Sequence, residues 1–139
     1  MEQAYKKPIP TPSVRSTPFW RSCHEHVLSL PRCSDCGSFH FPPAILCPEC
    51  LSDRLEWARA SGRGKVFSFV LFHRVYHPGF AEEVPYPVAV VAMEEGPRML
   101  TNLVDCAPAD VRCDMPVEVA FEDITDEISL PRFRPAKTI

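Results

Sequence analysis

The 139-residue sequence contains no apolar run approaching the roughly 20 residues that a helix needs to cross a bilayer. Its opening, MEQAYKKPIPTPS, lacks the apolar stretch of a secretory leader, so the expectation is a soluble, cytoplasmic protein with no membrane partner. No internal repeat is visible. No phosphate loop, carboxylate pair or ordered Ser/His/Asp set stands out, so nothing marks a self-sufficient enzyme. A basic surplus is missing too. Residues 61–139 carry eight Lys/Arg against twelve Asp/Glu, and residues 1–60 carry seven against six. A surface that neutralises nucleic-acid phosphates should show the opposite balance. Long helices are disfavoured by 16 prolines, where average usage would give about seven.

What is present is a chain able to fold, 45% hydrophobic and 10% aromatic, of a length for one ordinary domain or two very small ones. Residues 1–16 are rich in Pro, Lys and Ser and read as a flexible arm, open to ordering by a partner. Ser16 or Thr17 then starts a helix as N-cap, with Pro18 in the first turn. Phe19, Cys23, Val27 and Leu30 recur at helical spacing, Trp20 lies beside them, and Pro31 is expected to end the run. So short a helix must pack on something. That is either its own domain or a partner, for which Phe19 and Trp20 are the candidate interface residues.

The stretch CSDCGSFHFPPAILCPEC holds four of the seven cysteines, as two C-x-x-C pairs: Cys33 with Cys36, and Cys47 with Cys50. In a reducing compartment such pairs are metal ligands or redox centres before they are disulfides. Zinc takes four such thiolates in a tetrahedron, at about 2.3 Å from each sulfur. Gly37 follows the first pair and allows the tight backbone a C-x-x-C turn needs, and Pro48 lies within the second. The intervening ten residues suffice for a hairpin that returns one pair to the other. The pattern predicts a zinc ribbon; a rubredoxin-like iron site has the same ligand set. His40 lies inside the ribbon and reads as a surface or packing residue. With all four positions filled by protein, such a site stabilises structure and leaves no place for substrate.

The boundary is placed near residue 60, giving an N-terminal helix and ribbon over 17–60. Leu55 and Trp57 form a short strand out of the ribbon. Beyond it the chain reads as strands over 65–77, 85–95, 98–106, 117–123 and 128–135, the last an edge strand, with at most one helical turn in PADVRCDMP. The fold class is mainly β, and five short strands over 61–139 suggest a closed barrel, most simply an OB-fold. Cys23, Cys106 and Cys113 read as buried small apolar residues. The stretch HRVYHPGF gathers His73, Arg74, His77 and Phe80 around a Pro–Gly turn, where an anionic ligand or a partner could bind as readily as ordinary packing could explain them.

A helix beginning PFW, a C-x-x-C-G knuckle, PP before C-P-x-C, and a G-x-G-x-V-x-S-F strand occur in fixed order. HPGFAEEVPYPVAVV, EEGPRMLTNLV and MPVEVAFEDITDEISLPRFRP follow. Over roughly residues 17–136 the chain resembles the zinc-ribbon plus OB-fold proteins catalogued as domain of unknown function thirty-five. The resemblance implies a non-catalytic accessory subunit of a thiolase-like enzyme acting on acyl-CoA, thiolase or aldolase, whose partner carries the catalytic residues. It implies one structural zinc on Cys33, Cys36, Cys47 and Cys50, an acyl-CoA site shared with the partner, and a hetero-tetramer around a partner dimer. His73, Arg74, His77, Phe80, Arg132 and Arg134 are the candidates for contact with CoA, although the two arginines could equally be solvated edge-strand charges. The alternatives are a single-stranded nucleic-acid-binding OB-fold protein, which the acidic barrel opposes, and a stand-alone acyl-CoA-binding protein.

Overall fold

The computed structural model describes residues 5–136; the first four residues of the expected arm and residues 137–139 lie outside that range. A single helix, α1 (Thr17–His24), precedes a two-stranded sheet, β1 (Ser29–Cys33) and β2 (Leu55–Arg59). Five strands follow: β3 (Arg63–Phe72), β4 (Tyr86–Met93), β5 (Arg98–Asn102), β6 (Pro116–Asp123) and β7 (Ser129–Pro135). Single 3-10 turns sit at Pro78–Phe80 and Pro108–Asp110. No helix among the described residues is long and apolar enough to cross a membrane.

Pro18 opens α1, where its fixed φ suits a helix and its missing N–H leaves no bond unmade. The Thr17 hydroxyl and amide both donate to the Ser13 carbonyl, at 2.6 and 2.8 Å. The helix buries Phe19 and Cys23. It stops six residues before the expected Leu30, because His26 takes a positive φ of 61° and turns the chain back. Leu28 and Leu30 are buried not on a helix stripe but on the approach to and inside β1. Pro31, expected as a helix stop, is a strand residue opposite Trp57. The ladder tolerates this because the Pro31 nitrogen lies on the edge away from β2, where its carbonyl accepts from His40 N–H at 3.0 Å.

The five strands are ordered β5-β4-β3-β6-β7, all neighbours antiparallel. β3 pairs along its length with β4 and, by Arg63–Lys65, with β6. A bulge between Val66 and Ser68 lets one strand serve two neighbours by increasing its bend. Gly64 lies at this crossing, where a Cβ would stand 2.6 Å from the Ala92 carbonyl oxygen. The ends approach through a bridge between Leu103 and Phe133, with Val104 N–H donating to the Phe133 carbonyl at 2.8 Å. The result is a near-closed five-stranded barrel, as expected. β3 ends at Phe72, five residues before the strand expected to 77, because its ladder with β4 finishes at the Phe72–Tyr86 pair.

One apolar cluster runs through the chain, from Phe19, Cys23 and Leu30 to Val66, Val91, Met99, Val117 and Phe133. Phe133, fully buried, is among its largest members. Replacing Phe133 with Ala is expected to lower the unfolding free energy by about 3–5 kcal/mol in chemical denaturation, the usual cost of an unfilled aromatic site. A second check concerns the turn after β6. The Ser129 hydroxyl donates to Asp123, and His26 Nε2 lies 2.8 Å from the same carboxylate. These bonds hold the Asp123 carboxyl below its usual 3.8. Their stabilisation is therefore complete above that pH and fades as the pH falls through the lower folded value. The Asp123→Asn variant should have a lower urea midpoint than the parent at pH 7, and the gap should narrow steadily as the pH is lowered below 3.8.

Candidate metal centre and aromatic cleft

Cys33 ends β1, and the chain turns through Cys36 with Gly37 at φ 79°, its amide donating to the Cys33 carbonyl at 2.9 Å. The second pair repeats this turn: the Leu51 amide donates to the Cys47 carbonyl at 2.9 Å, with Leu51 at φ 64°. A leucine in that region is uncommon. Gly37 signalled the first turn in the sequence and Pro48 the second, but nothing marked Leu51 for its left-handed backbone. The side chain of Asp35 binds Ser52 and Arg54 of the opposite turn, and Ser34 N–H donates to the Arg54 carbonyl at 2.9 Å. These bonds clamp the two turns face to face.

The four sulfurs lie within 4.8 Å of one another. Cys33 to Cys50 and Cys36 to Cys47 are each 3.6 Å. A tetrahedron of radius 2.3 Å has edges of about 3.8 Å, so the cage fits zinc, and the sulfurs cluster four ways instead of closing as two disulfides. Backbone amides of Cys36 and Glu49 point at the sulfurs of Cys33 and Cys47, at 3.5 and 3.4 Å. The Cys36 amide, helped by that of Asp35, lowers the Cys33 thiol despite its burial. The Ser38 hydroxyl and amide bring Cys36 down to about 6. At Cys50 the Ser52 amide also lowers the thiol, but crowding by Cys33, Cys36 and Cys47 prevails and lifts it to about 12. Four adjacent thiols cannot all ionise alone, and a divalent cation supplies the charge that lets them.

The remaining cysteines separate. Cys23 is fully buried, and burial pushes its thiol up to about 12. Cys106 is half-buried and also raised, by burial and by Asp110. Cys113 is exposed, against the expectation that all three fill apolar sites. His40 is buried, and burial lowers its pKa.

Four of the other candidate residues meet in one place. Phe19, Trp20, Phe80 and Arg132 line a cleft of about 440 Å³ between α1, β4, β5 and β7, walled also by Phe41, Phe72 and Tyr86. Phe19 is only 5% exposed, with its ring 5.1 Å from Trp20 and 5.3 Å from Phe41. It packs within its own chain, and Trp20 is the half-exposed member of the pair. Arg132 is not a free cation: its guanidinium donates to Asn102 at 2.7 Å and to Glu122 at 3.1 Å. Arg134 is bound by Glu118, at 2.9 and 3.0 Å.

His73, Arg74, His77 and Arg134 lie outside this cleft. Arg74 sits over Tyr76, 5.2 Å from its ring, and His77 accepts from Gly79 N–H at 3.0 Å. Sequence reasoning missed Lys7. It pairs with Glu83 at 2.6 Å and sits 5.0 Å above the Phe80 ring, tying described residues of the arm to the cleft. The signal was Gly79, where a Cβ would come 2.4 Å from the Lys6 carbonyl oxygen.

Residues 20–56 match the rubredoxin-like zinc ribbon domain of ChsH2, and residues 57–122 match its C-terminal OB-fold domain. A DUF35 domain-containing scaffold protein of Methanocaldococcus jannaschii is 36% identical over 110 residues, 78% of this chain and 77% of that protein. The chain belongs to the DUF35 family. A probable enoyl-CoA hydratase alpha subunit of Thermomonospora curvata is 38% identical over 97% of this chain, which spans 43% of that larger protein. Among solved structures, a chain of the Ltp2-ChsH2(DUF35) aldolase superposes with a TM-score of 0.82 at 35% identity, covering 91% of this chain and 98% of that one. DUF35 membership accounts for the order of ribbon and barrel.

Metal analysis tests the centre. The purified chain is expected to be colourless and to hold one zinc. Its melting temperature should fall by more than about 10 °C on removal by a strong chelator. The Cys36→Ser variant should behave like the stripped protein. A coloured protein carrying iron would overturn the assignment.

Proposed function

We propose that the chain is a non-catalytic accessory subunit of a thiolase-like acyl-CoA enzyme complex, stabilising the catalytic partner and helping to form the acyl-CoA site. The observation that carries this reading is the superposition of nearly the whole chain on the DUF35 chain of an aldolase complex. The alpha-subunit relative from Thermomonospora curvata adds support from a second CoA-linked system. The chemistry of the chain agrees. The zinc cage is filled by four cysteines, and the cleft is walled by aromatic rings with paired polar groups at its rim, which suits an apolar acyl group better than a reacting centre. Of the residues considered for CoA contact, Phe80 and Arg132 are those we assign to it, with Trp20 at the partner-facing lip. In this reading the assembly is a cytoplasmic hetero-tetramer built on a partner dimer.

Purification of the tagged chain from its native cells, with mass spectrometry of what accompanies it, tests the reading. A thiolase-fold protein in stoichiometric amount is expected. Calorimetry on the isolated chain should give weak or no binding of an acyl-CoA, and the complex should bind it. Tight binding by the isolated chain would favour a stand-alone carrier, and recovery with single-stranded nucleic acid would overturn the proposal.

A further inference from the structure

The outer face of β3–β4–β5 is the surface by which we infer that the chain docks on its catalytic partner, against an apolar partner surface edged by a carboxylate. This inference rests on the accessory-subunit reading and adds where the contact lies and what chemistry meets it.

Burial alternates strictly along β4 and β5, so every second residue points away from the barrel. The register then builds rows across three strands. Ser68, Val90 and Leu100 form one, and Val70, Val88 and Asn102 the next. Phe72 and Tyr86 follow at one end, and Lys65, Ala92 and Arg98 close the other. Leu100 is 71% exposed, Val70 54% and Phe67, at the bulge, 50%. Apolar side chains so exposed and adjacent mark an interaction surface rather than scattered surface residues.

β4 and β5 are the second and third strands of the barrel, the pair whose outer face binds ligands in OB-folds. Oligonucleotides need stacking rings and a cationic track there. Here the two middle rows are led by Val90, Leu100, Val70 and Val88, the Phe72 and Tyr86 rings at one end already lie against Tyr76 and Phe80, and the Phe67 ring is covered by the Arg98 guanidinium, 3.8 Å from its centre. The charge pattern narrows the occupant further. Residues 61–139 are acidic on balance, yet the outward strand residues of this face carry three ionised groups, Arg63, Lys65 and Arg98, all cations, with Arg63 opposite Glu118 of β6. Lys65 and Arg98 make no ion pair with a carboxylate among the described residues. A second copy of the chain would match the apolar rows, but the ionised outward strand residues of its own face are cations, and Glu94, just past β4, already shares a groove with its own Lys65. A different protein carrying a carboxylate satisfies both halves of the surface.

Strand spacings of about 4.8 Å and 3.4 Å per residue give three strands and four rows about 400 Å², half of what one partner buries in a standard interface. The aromatic cleft adjoins the face through Phe72, Tyr86, Val88, Leu100 and Asn102, so one contact surface can run from the sheet into the cleft.

The test uses the tagged full-length chain, captured from native cells as wild type, Leu100→Asp, Val70→Asp, Arg98→Glu and Ile45→Asp. Ile45 is an equally exposed apolar residue, 69%, on the ribbon. All four positions are exposed, and thermal melts select the variants that fold like wild type. The expected result is a thiolase-fold protein with wild type and Ile45→Asp. Recovery should fall at least about tenfold with either aspartate on the sheet, Arg98→Glu should show a clear loss, and high salt should weaken capture by wild type. Full capture by the sheet variants would overturn the docking face and leave the accessory reading standing. Loss with Ile45→Asp alone would move the contact to the ribbon. Failure of wild type to bring down any thiolase-fold protein would overturn both.

Discussion

Five strands of this length do not quite close a barrel, and the gap between β5 and β7 governs the rest of the molecule. One bridge, between Leu103 and Phe133, joins the two ends. The remaining apolar edge would be wet without α1, which packs on β7 and lends Phe19 and Cys23 to the barrel's own core. The helix thus belongs to the ribbon by chain order and to the barrel by packing. Its incomplete cover of the gap leaves the aromatic cleft, so closure of the fold and the shape of the site have the same physical origin.

The ribbon contributes what packing cannot. Its side chains are too few for a core, and Ile45, Leu46 and Leu51 face solvent. Coordination by four sulfurs takes the place of apolar burial there. The Asp35–Arg54 clamp sets the two turns, and β1–β2 passes that rigidity to the root of α1. A cage with no open position supplies geometry and no chemistry, which is consistent with an accessory role beside a catalytic partner.

Charge is placed with the same economy. The expected free arginines of β7 are held by Glu118, Glu122 and Asn102, where they brace the β6–β7 ladder and the rim of the cleft. Lys65 and Arg98, outside any ion pair among the described residues, stand instead at the end of an apolar outer face. A single acidic group on another protein would therefore favour one orientation on this sheet over its reverse.

Much was legible in the chain because its signals are local. Two C-x-x-C pairs with Gly37 and Pro48 determine a metal turn through the reach of a few bonds. Alternation in VEVAFED determines a strand face, and prolines punctuate the elements. The helix stripe failed at His26 because periodicity cannot distinguish Leu30 on a helix from Leu30 on a strand when both bury it. Leu51 was silent because its left-handed backbone is imposed by the second knuckle, not by the residue's own preference. Which arginines are neutralised depends on strand register, since Arg132 meets Asn102 only across the barrel gap. The apolar outer face depends on the inward–outward phase of three strands together. By itself the sequence determined the ligand set, the order of elements and the family, all carried by short-range spacing. The tertiary structure decided which side chains pair, which stay exposed and which share a cleft, because those outcomes require residues far apart in the chain to meet.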